Sequence, residues 1–198
     1  ILVGIGESIA DRAESLFAIR RTARQYGAIQ EVIVQNFLAK PDTAMRSAPD
    51  ANREEYLASI AVARVVLGPG MRIQAPPNLR PKGAAALIRA GINDWGGVSP
   101  VTPDHVNPEA PWPHLQVLER ATRAAGKQLI ERLAIYPGYA RAAETWVDPG
   151  LRTALLHRID AAGWPRTDAW SPGTTVALPP DAVRVWADDH AAIMPRPQ

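Results

Sequence analysis

The chain has 198 residues, no cysteine, and a net charge of +2 from 22 Lys/Arg against 20 Asp/Glu. The missing cysteine excludes disulfides, thiolate metal sites and cysteine nucleophiles within these residues. Mixed charge without a basic run leaves no footprint for nucleic acid, and no apolar run reaches the roughly 18 residues of a membrane span.

The opening run ILVGI (1–5) reads as a strand buried on both faces. It starts inside the strand pattern and lacks the basic lead of a signal peptide, as expected for a piece of a longer, cytoplasmic protein. Ser8 followed by Asp11 predicts a capped helix that places Leu16, Ile19, Ala23 and Tyr26 on one face and stops at Gly27. IQEVIVQNF (29–37) predicts a second strand, rich in β-branched residues, and residues 39–51 a polar loop. Asn52 predicts the cap of a helix carrying Tyr56, Ile60, Ala63 and Leu67, which GPG (68–70) ends.

MRIQA (71–75) predicts a third strand, PPN a turn, residues 81–90 a short helix and INDWGG (92–97) a fourth strand. The segment that follows, VSPVTPDHVNPEAPWP, is a long proline-stiffened loop. Pro111 or Pro113 opens another helix, with Leu115, Leu118 and Thr122 inward and Trp112 packing at its start. Residues 126–139 fit helix and strand equally. Asp148 and Pro149 predict a helix to Gly163, and Pro, Asp and Ala dominate beyond about residue 165. The expected organisation is one domain over 1–165 and a tail or linker over 166–198 toward a further module.

Strand and helix alternate four times, the signature of a parallel sheet in an α/β fold. At each strand's downstream end apolar residues give way to polar ones. These are Gly4, Gly6 and Glu7; Gln35 and Asn36; Gln74 and Asn78; and Asn93, Asp94 and Trp95. Parallel strands bring such ends to one rim, where α/β folds bind ligands. Taken singly, the same residues satisfy loop backbone and cap strands, and Trp95 reads equally well as a core aromatic. The set is mostly carboxamide. GIGES is neither a nucleophile elbow nor a phosphate loop. His105, His114, His157 and His190 show no ligand spacing, so no metal site is expected in this chain. Amides recognise hydroxyls and imides, and a cofactor would have to supply the chemistry.

GIGES, IQEVIVQNF, IQAPPN and AGINDWGGVSPVTPDHVNPEAPWP, with ERLAIYPGY behind them, resemble 7,8-didemethyl-8-hydroxy-5-deazariboflavin (FO) synthases. The likeness is to the downstream half of the ring-closing radical S-adenosylmethionine module and covers about residues 1–165. Ser8 stands where the family has threonine, and Gly138 where it has glutamate.

The resemblance implies a (β/α)8 barrel of which this chain is the C-terminal half, with four βα units and an extension. It implies S-adenosylmethionine along Gly4, Gly6, Glu7 and Gln35, and substrate at Asn36, Gln74, Asn78, Asn93, Asp94 and Trp95. The family's 4Fe-4S cluster needs three cysteines, which are expected upstream of residue 1 along with the first half-barrel. By the same resemblance, a 5'-deoxyadenosyl radical abstracts hydrogen from an adduct of tyrosine and 5-amino-6-ribitylaminouracil. The ring then closes and ammonia leaves. A fused or separate second radical module makes the adduct. A biotin-synthase-like or menaquinone-pathway radical enzyme, or a half-barrel that only binds a ligand or partner, would share the general pattern. The NDWGGVSPVTPD stretch argues for the FO synthases.

Overall fold

A computed structural model of the chain describes residues 1–80, 82–99 and 101–166. The expected tail over 166–198 lies, but for its first residue, outside the described residues. The chain divides into two units, Ile1–Tyr136 and a second beginning at Pro137.

In the first unit the elements are β1 (Leu2–Val3), α1 (Ile9–Tyr26), β2 (Val32–Ile33), β3 (Gln35–Asn36), α2 (Arg53–Leu67), β4 (Ile73–Gln74), α3 (Ala84–Ala90) and α4 (Leu115–Ala124). The caps form where the sequence places them. Ser8 and Asp11 close a reciprocal capping box on α1, and Gly27 ends that helix in the left-handed region at φ 64°. The Asn52 side chain accepts from the Glu54 and Glu55 N–H groups at the start of α2.

β2 and β3 are one extended stretch whose N–H groups alternate between two neighbours. Val32 and Val34 donate to Arg72 and Gln74 on the β4 side, at 2.8 and 2.9 Å. Gln35 and Phe37 donate to Ile1 and Val3 on the β1 side, at 2.9 and 2.8 Å. Both pairings are parallel, and Asp94 adds a parallel bridge to Gln74. Successive strands are therefore neighbours running the same way. A doubly wound sheet would reverse that order at its switch point.

The helices cover one face of this sheet. Val3, Val34, Ile73 and Ala75 form a core with Leu16, Tyr56, Ile60, Ala63, Leu87 and Leu118. The Tyr56 hydroxyl donates to the Val34 carbonyl at 3.0 Å, so the polar end of a fully buried side chain is satisfied. On the other face lie Leu2 and Ile33, both exposed, and half-buried Gln35.

Several expected boundaries differ. The fourth strand shortens to the single Asp94 bridge. Asn93 turns its side chain back on the sheet instead: its Oδ1 accepts from the Ile73 N–H at 2.9 Å and its Nδ2 donates to the Met71 carbonyl at 3.2 Å. The helix expected from residue 81 begins at Ala84, after Gly83. The helix expected from Pro111 or Pro113 begins at Leu115, so both prolines precede it. Leu118 and Thr122 are buried as expected, but Leu115 is exposed. Tyr26, expected inward on α1, is also exposed, as the last helical residue before the Gly27 cap. Of residues 126–139, equally readable as helix and strand, 126–136 form neither and 137–139 begin a short helix.

The second unit carries α5 (Pro137–Arg141), α6 (Ala143–Trp146) and α7 (Pro149–Leu156). Asp148 caps α7 as expected, through the Gly150 N–H at 2.8 Å. The helix ends seven residues short of Gly163, and an Ile159–Pro165 bridge closes the chain there. Gly163 allows that closure, since a Cβ on it would stand 2.5 Å from the Pro137 carbonyl oxygen.

Candidate functional site

At the end of β1 the chain turns through Gly4 (φ 97°) and Gly6 (φ 107°). Gly4 is close-packed, because a Cβ on it would meet the Ala51 Cβ and Cα at 2.7 and 2.8 Å. Gly6 faces open space, so its backbone is free for close approach. Glu7 folds back over the turn. Its carboxylate accepts from the Gly4 N–H at 2.9 Å and the Ile5 N–H at 2.8 Å, and from Arg12 Nε at 2.6 Å. Arg12 reaches on to Glu55 of α2 at 2.9 Å. Desolvation pushes the Glu7 carboxyl up, but these donors outweigh it and hold its pKa down at about 2.

The loops beyond the strand ends are tied to one another. The Ala51 N–H donates to the Phe37 carbonyl, and Arg80 donates to the Ala51 carbonyl at 3.2 Å. Asn78 Nδ2 donates to Asp104 Oδ2 at 2.8 Å and to the Ala110 carbonyl at 3.0 Å. Asp104 also accepts from the Val106 and Asn107 N–H groups and from Asn107 Nδ2. Burial raises the Asp104 carboxyl, and the Asn107 and Asn78 side chains more than offset that, so it stays ionised. Lys40 donates to the Val106 carbonyl and pairs with Glu109 at 3.4 Å. The proline-rich loop is therefore pinned to the two loops before it.

On the open face of the sheet, register places Glu31, Ile33 and Gln35 with Leu2, Gln74 and Asp94. Arg132 and Tyr136 lie against this face. Arg132 grips Asp94 with two prongs, Nε to Oδ2 at 2.6 Å and Nη2 to Oδ1 at 3.0 Å. The Tyr136 hydroxyl donates to Asp94 Oδ2 at 2.9 Å and accepts from Gln74 Nε2 at 2.9 Å. The Arg132 guanidinium sits 4.1 Å from the Tyr136 ring centroid. Gln74 Nε2 also donates to Glu31, which Arg132 Nη2 meets at 3.5 Å. Burial pushes the Asp94 carboxyl up, yet Arg132, the Gly96 N–H and Tyr136 hold it below the ordinary carboxylate range. Burial pushes the Tyr136 phenol up, so it stays protonated and donates.

The residues singled out from sequence thus separate. Gln35, Gln74 and Asp94 share the open face. Gly6 and Glu7 sit at the rim, and Asn78 holds the proline-rich loop. Trp95 packs in the core, its indole N–H donating to Thr122 Oγ1 at 3.1 Å. Strand alternation puts Asn36 with Val34 on the helix side, 1% exposed, with neither amide atom partnered. Such sealed polar atoms are rare and gather where a fold serves a ligand or water. Asn78 Oδ1 and Arg80 Nε are sealed and unpaired in the same way. Arg132, Tyr136, Glu31 and Asp104 escaped the sequence reading. The one local hint was the aromatic-basic pattern of ERLAIY, whose partners lie 38 and 42 residues away.

No protein-family model and no solved structure matches the chain. Among curated proteins it is 52% identical over 196 residues to the FO synthase of Streptomyces coelicolor, covering 98% of this chain and 23% of that protein. It is 55% identical over 171 residues to the FO synthase of Nocardia farcinica, covering 85% of this chain and 20% of that protein. The 7,8-didemethyl-8-hydroxy-5-deazariboflavin synthase of Methanopyrus kandleri is 44% identical over 166 residues, 84% of this chain and 49% of that protein. The chain spans less than a quarter of the two FO synthases and about half of the archaeal synthase. The family this chain is similar to over nearly its whole length is that of the FO synthases, of which it matches one segment.

Proposed function

We propose that the chain is the downstream half of a radical S-adenosylmethionine (β/α)8 barrel. In the whole protein it serves formation of the deazaflavin FO from a tyrosine/ribitylaminouracil adduct, with loss of ammonia. The observation that carries this is the 52% identity to an FO synthase over 98% of the chain. The sequential parallel sheet with helices on one face supports it, since four βα units of a barrel have that form. The much greater length of the relatives supports an upstream half completing the barrel beside β1.

The cofactor pair would supply hydrogen abstraction. This chain contributes no cluster ligand, because it has no cysteine. Toward S-adenosylmethionine its residues do fit. The Gly6 backbone is open, and the Gln35 carboxamide faces the sheet's free side without a partner among the described residues. Glu7 would act on the cofactor's surroundings by fixing the turn that carries Gly4 and Gly6. Gln74 and Asp94 would line the substrate's side of the same face. Asn78 would hold the proline-rich loop over the rim, and Asn93 and Trp95 would set the backbone of the fourth segment. Asn36, sealed on the helix side with neither amide atom partnered, would not meet a ligand on the open face.

The test is the full-length protein carrying this segment, purified anoxically with its cluster. Given S-adenosylmethionine, a reductant and the adduct, it should release ammonia and a fluorescent deazaflavin in step. Cleavage of S-adenosylmethionine with neither product would reject the assignment.

A further inference from the structure

Asp94 looks like a ligand-binding carboxylate, but its surroundings argue otherwise. A carboxylate has about four lone-pair positions on its two oxygens. Four donors already occupy them here: Arg132 Nε, Arg132 Nη2, the Tyr136 hydroxyl and the Gly96 N–H, the last at 2.6 Å. No acceptor position is left over. Both amino hydrogens of Gln74 are likewise engaged, by Tyr136 and Glu31. Its Oε1 is tucked against Gly96, where an added Cβ would stand 2.9 Å away.

Gln35 contrasts with both. It shares their face through the β1 and β4 registers, is half-buried, and its carboxamide makes no hydrogen bond among the described residues. The two residues that engage Asp94 come from the 127–136 segment, which belongs to no helix or strand and is 38 to 42 residues distant in sequence.

We propose that Arg132 and Tyr136 are positioning residues. They lock Asp94 and Gln74 into one rigid wall of the site, so that the free Gln35 amide, and not Asp94, is what meets the ligand. This rests on the function proposed above for its kinetic consequence, but not for the pairing itself.

Two measurements test it. In the 198-residue chain, the Arg132 Nε–H signal in a nitrogen-15 NMR spectrum should be protected from solvent exchange. Asp94→Asn should abolish that protection and Gln35→Leu should keep it. In the full-length protein, Arg132→Gln and Asp94→Asn should each raise KM for the adduct about tenfold, at a kcat per cluster-loaded centre little changed. The double variant should be no worse than either single one, because both remove one shared interaction. Gln35→Leu should raise KM for S-adenosylmethionine, the ligand its amide faces.

An unprotected Arg132 signal in the wild-type chain overturns the inference whatever the activity. So does a KM raised by Asp94→Asn but not by Arg132→Gln, which would put Asp94 on the ligand. An unchanged KM for S-adenosylmethionine in Gln35→Leu overturns it too, as do variants that lower only the loaded fraction. A protected signal in a protein that makes no deazaflavin would sink the functional reading and leave the pairing standing.

Discussion

Glu7 shows how a residue chosen from a motif can act through the chain itself. Its two oxygens gather the Gly4 and Ile5 N–H groups and the Arg12 guanidinium, so a turn of left-handed glycines is held by one carboxylate. Folding lowers its pKa from 4.5 to about 2. A carboxyl whose pKa is depressed in the folded state adds stability above its unfolded pKa and loses it as pH falls through the folded one. The contribution of Glu7 is therefore complete above about pH 4.5 and fades toward pH 2. Urea unfolding midpoints should separate wild type from Glu7→Gln above that window and bring the two together inside it. Midpoints that fall in parallel would show that Glu7 has no such role. Sequence made Glu7 visible by its place after GIG. It could not say whether the carboxylate faced a ligand or its own backbone, because that depends on Arg12 one helical turn into α1.

At the scale of elements, caps were legible and strand lengths were not. Ser8, Asn52, Asp148 and Gly27 act within four residues of themselves, so their sequence signals are local and complete. Strand extent depends on which neighbours pair. INDWGG reads as a strand by composition, yet Asn93 spends its side chain on β4 and Gly96 leaves the ladder at φ 80°. The proline-rich loop was legible as over-specified for a connector. Its anchor was not, since Asp104 finds Asn78 across 26 residues. One carboxylate takes four donors there, two from side chains and two from the loop's own backbone. Asp104→Ala should thus free the loop while sparing the core. Amide exchange should quicken over residues 101–110 and trypsin should cut sooner after Arg46 in the loop that Lys40 ties to it, whereas protection in α2 should hold. Global destabilisation should be about 1–3 kcal/mol, the usual range for breaking a hydrogen-bonded charge at a partly buried site. Unchanged exchange in the loop would mean that the prolines alone hold it.

For the molecule as a whole, one face of the sheet is covered by helices and the other only where Arg132 and Tyr136 lie against Glu31, Gln74 and Asp94. Helices α1 to α4 supply a core against Val3, Val34 and Ile73, while Leu2, Ile5 and Ile33 are 38%, 44% and 42% exposed. Leu2 and Ile33 share the open face with Gln35, and among the described residues no strand pairs with the far edge of β1. An unpaired parallel edge beside an apolar face is a template for association. In a longer protein like the relatives, further strands would occupy it. Alone, the 198-residue chain should self-associate as its concentration rises, with sedimentation velocity giving species heavier than one chain. Ile33→Lys puts a charge at the centre of the apolar patch without touching the helix-side core, because Ile33 alternates with buried Val32 and Val34. That variant should shift the population toward monomer while its circular dichroism and thermal midpoint stay close to wild type. A wild-type chain that remains monomeric at every concentration, or association that Ile33→Lys leaves untouched, would show that the open face is not what drives contact between copies.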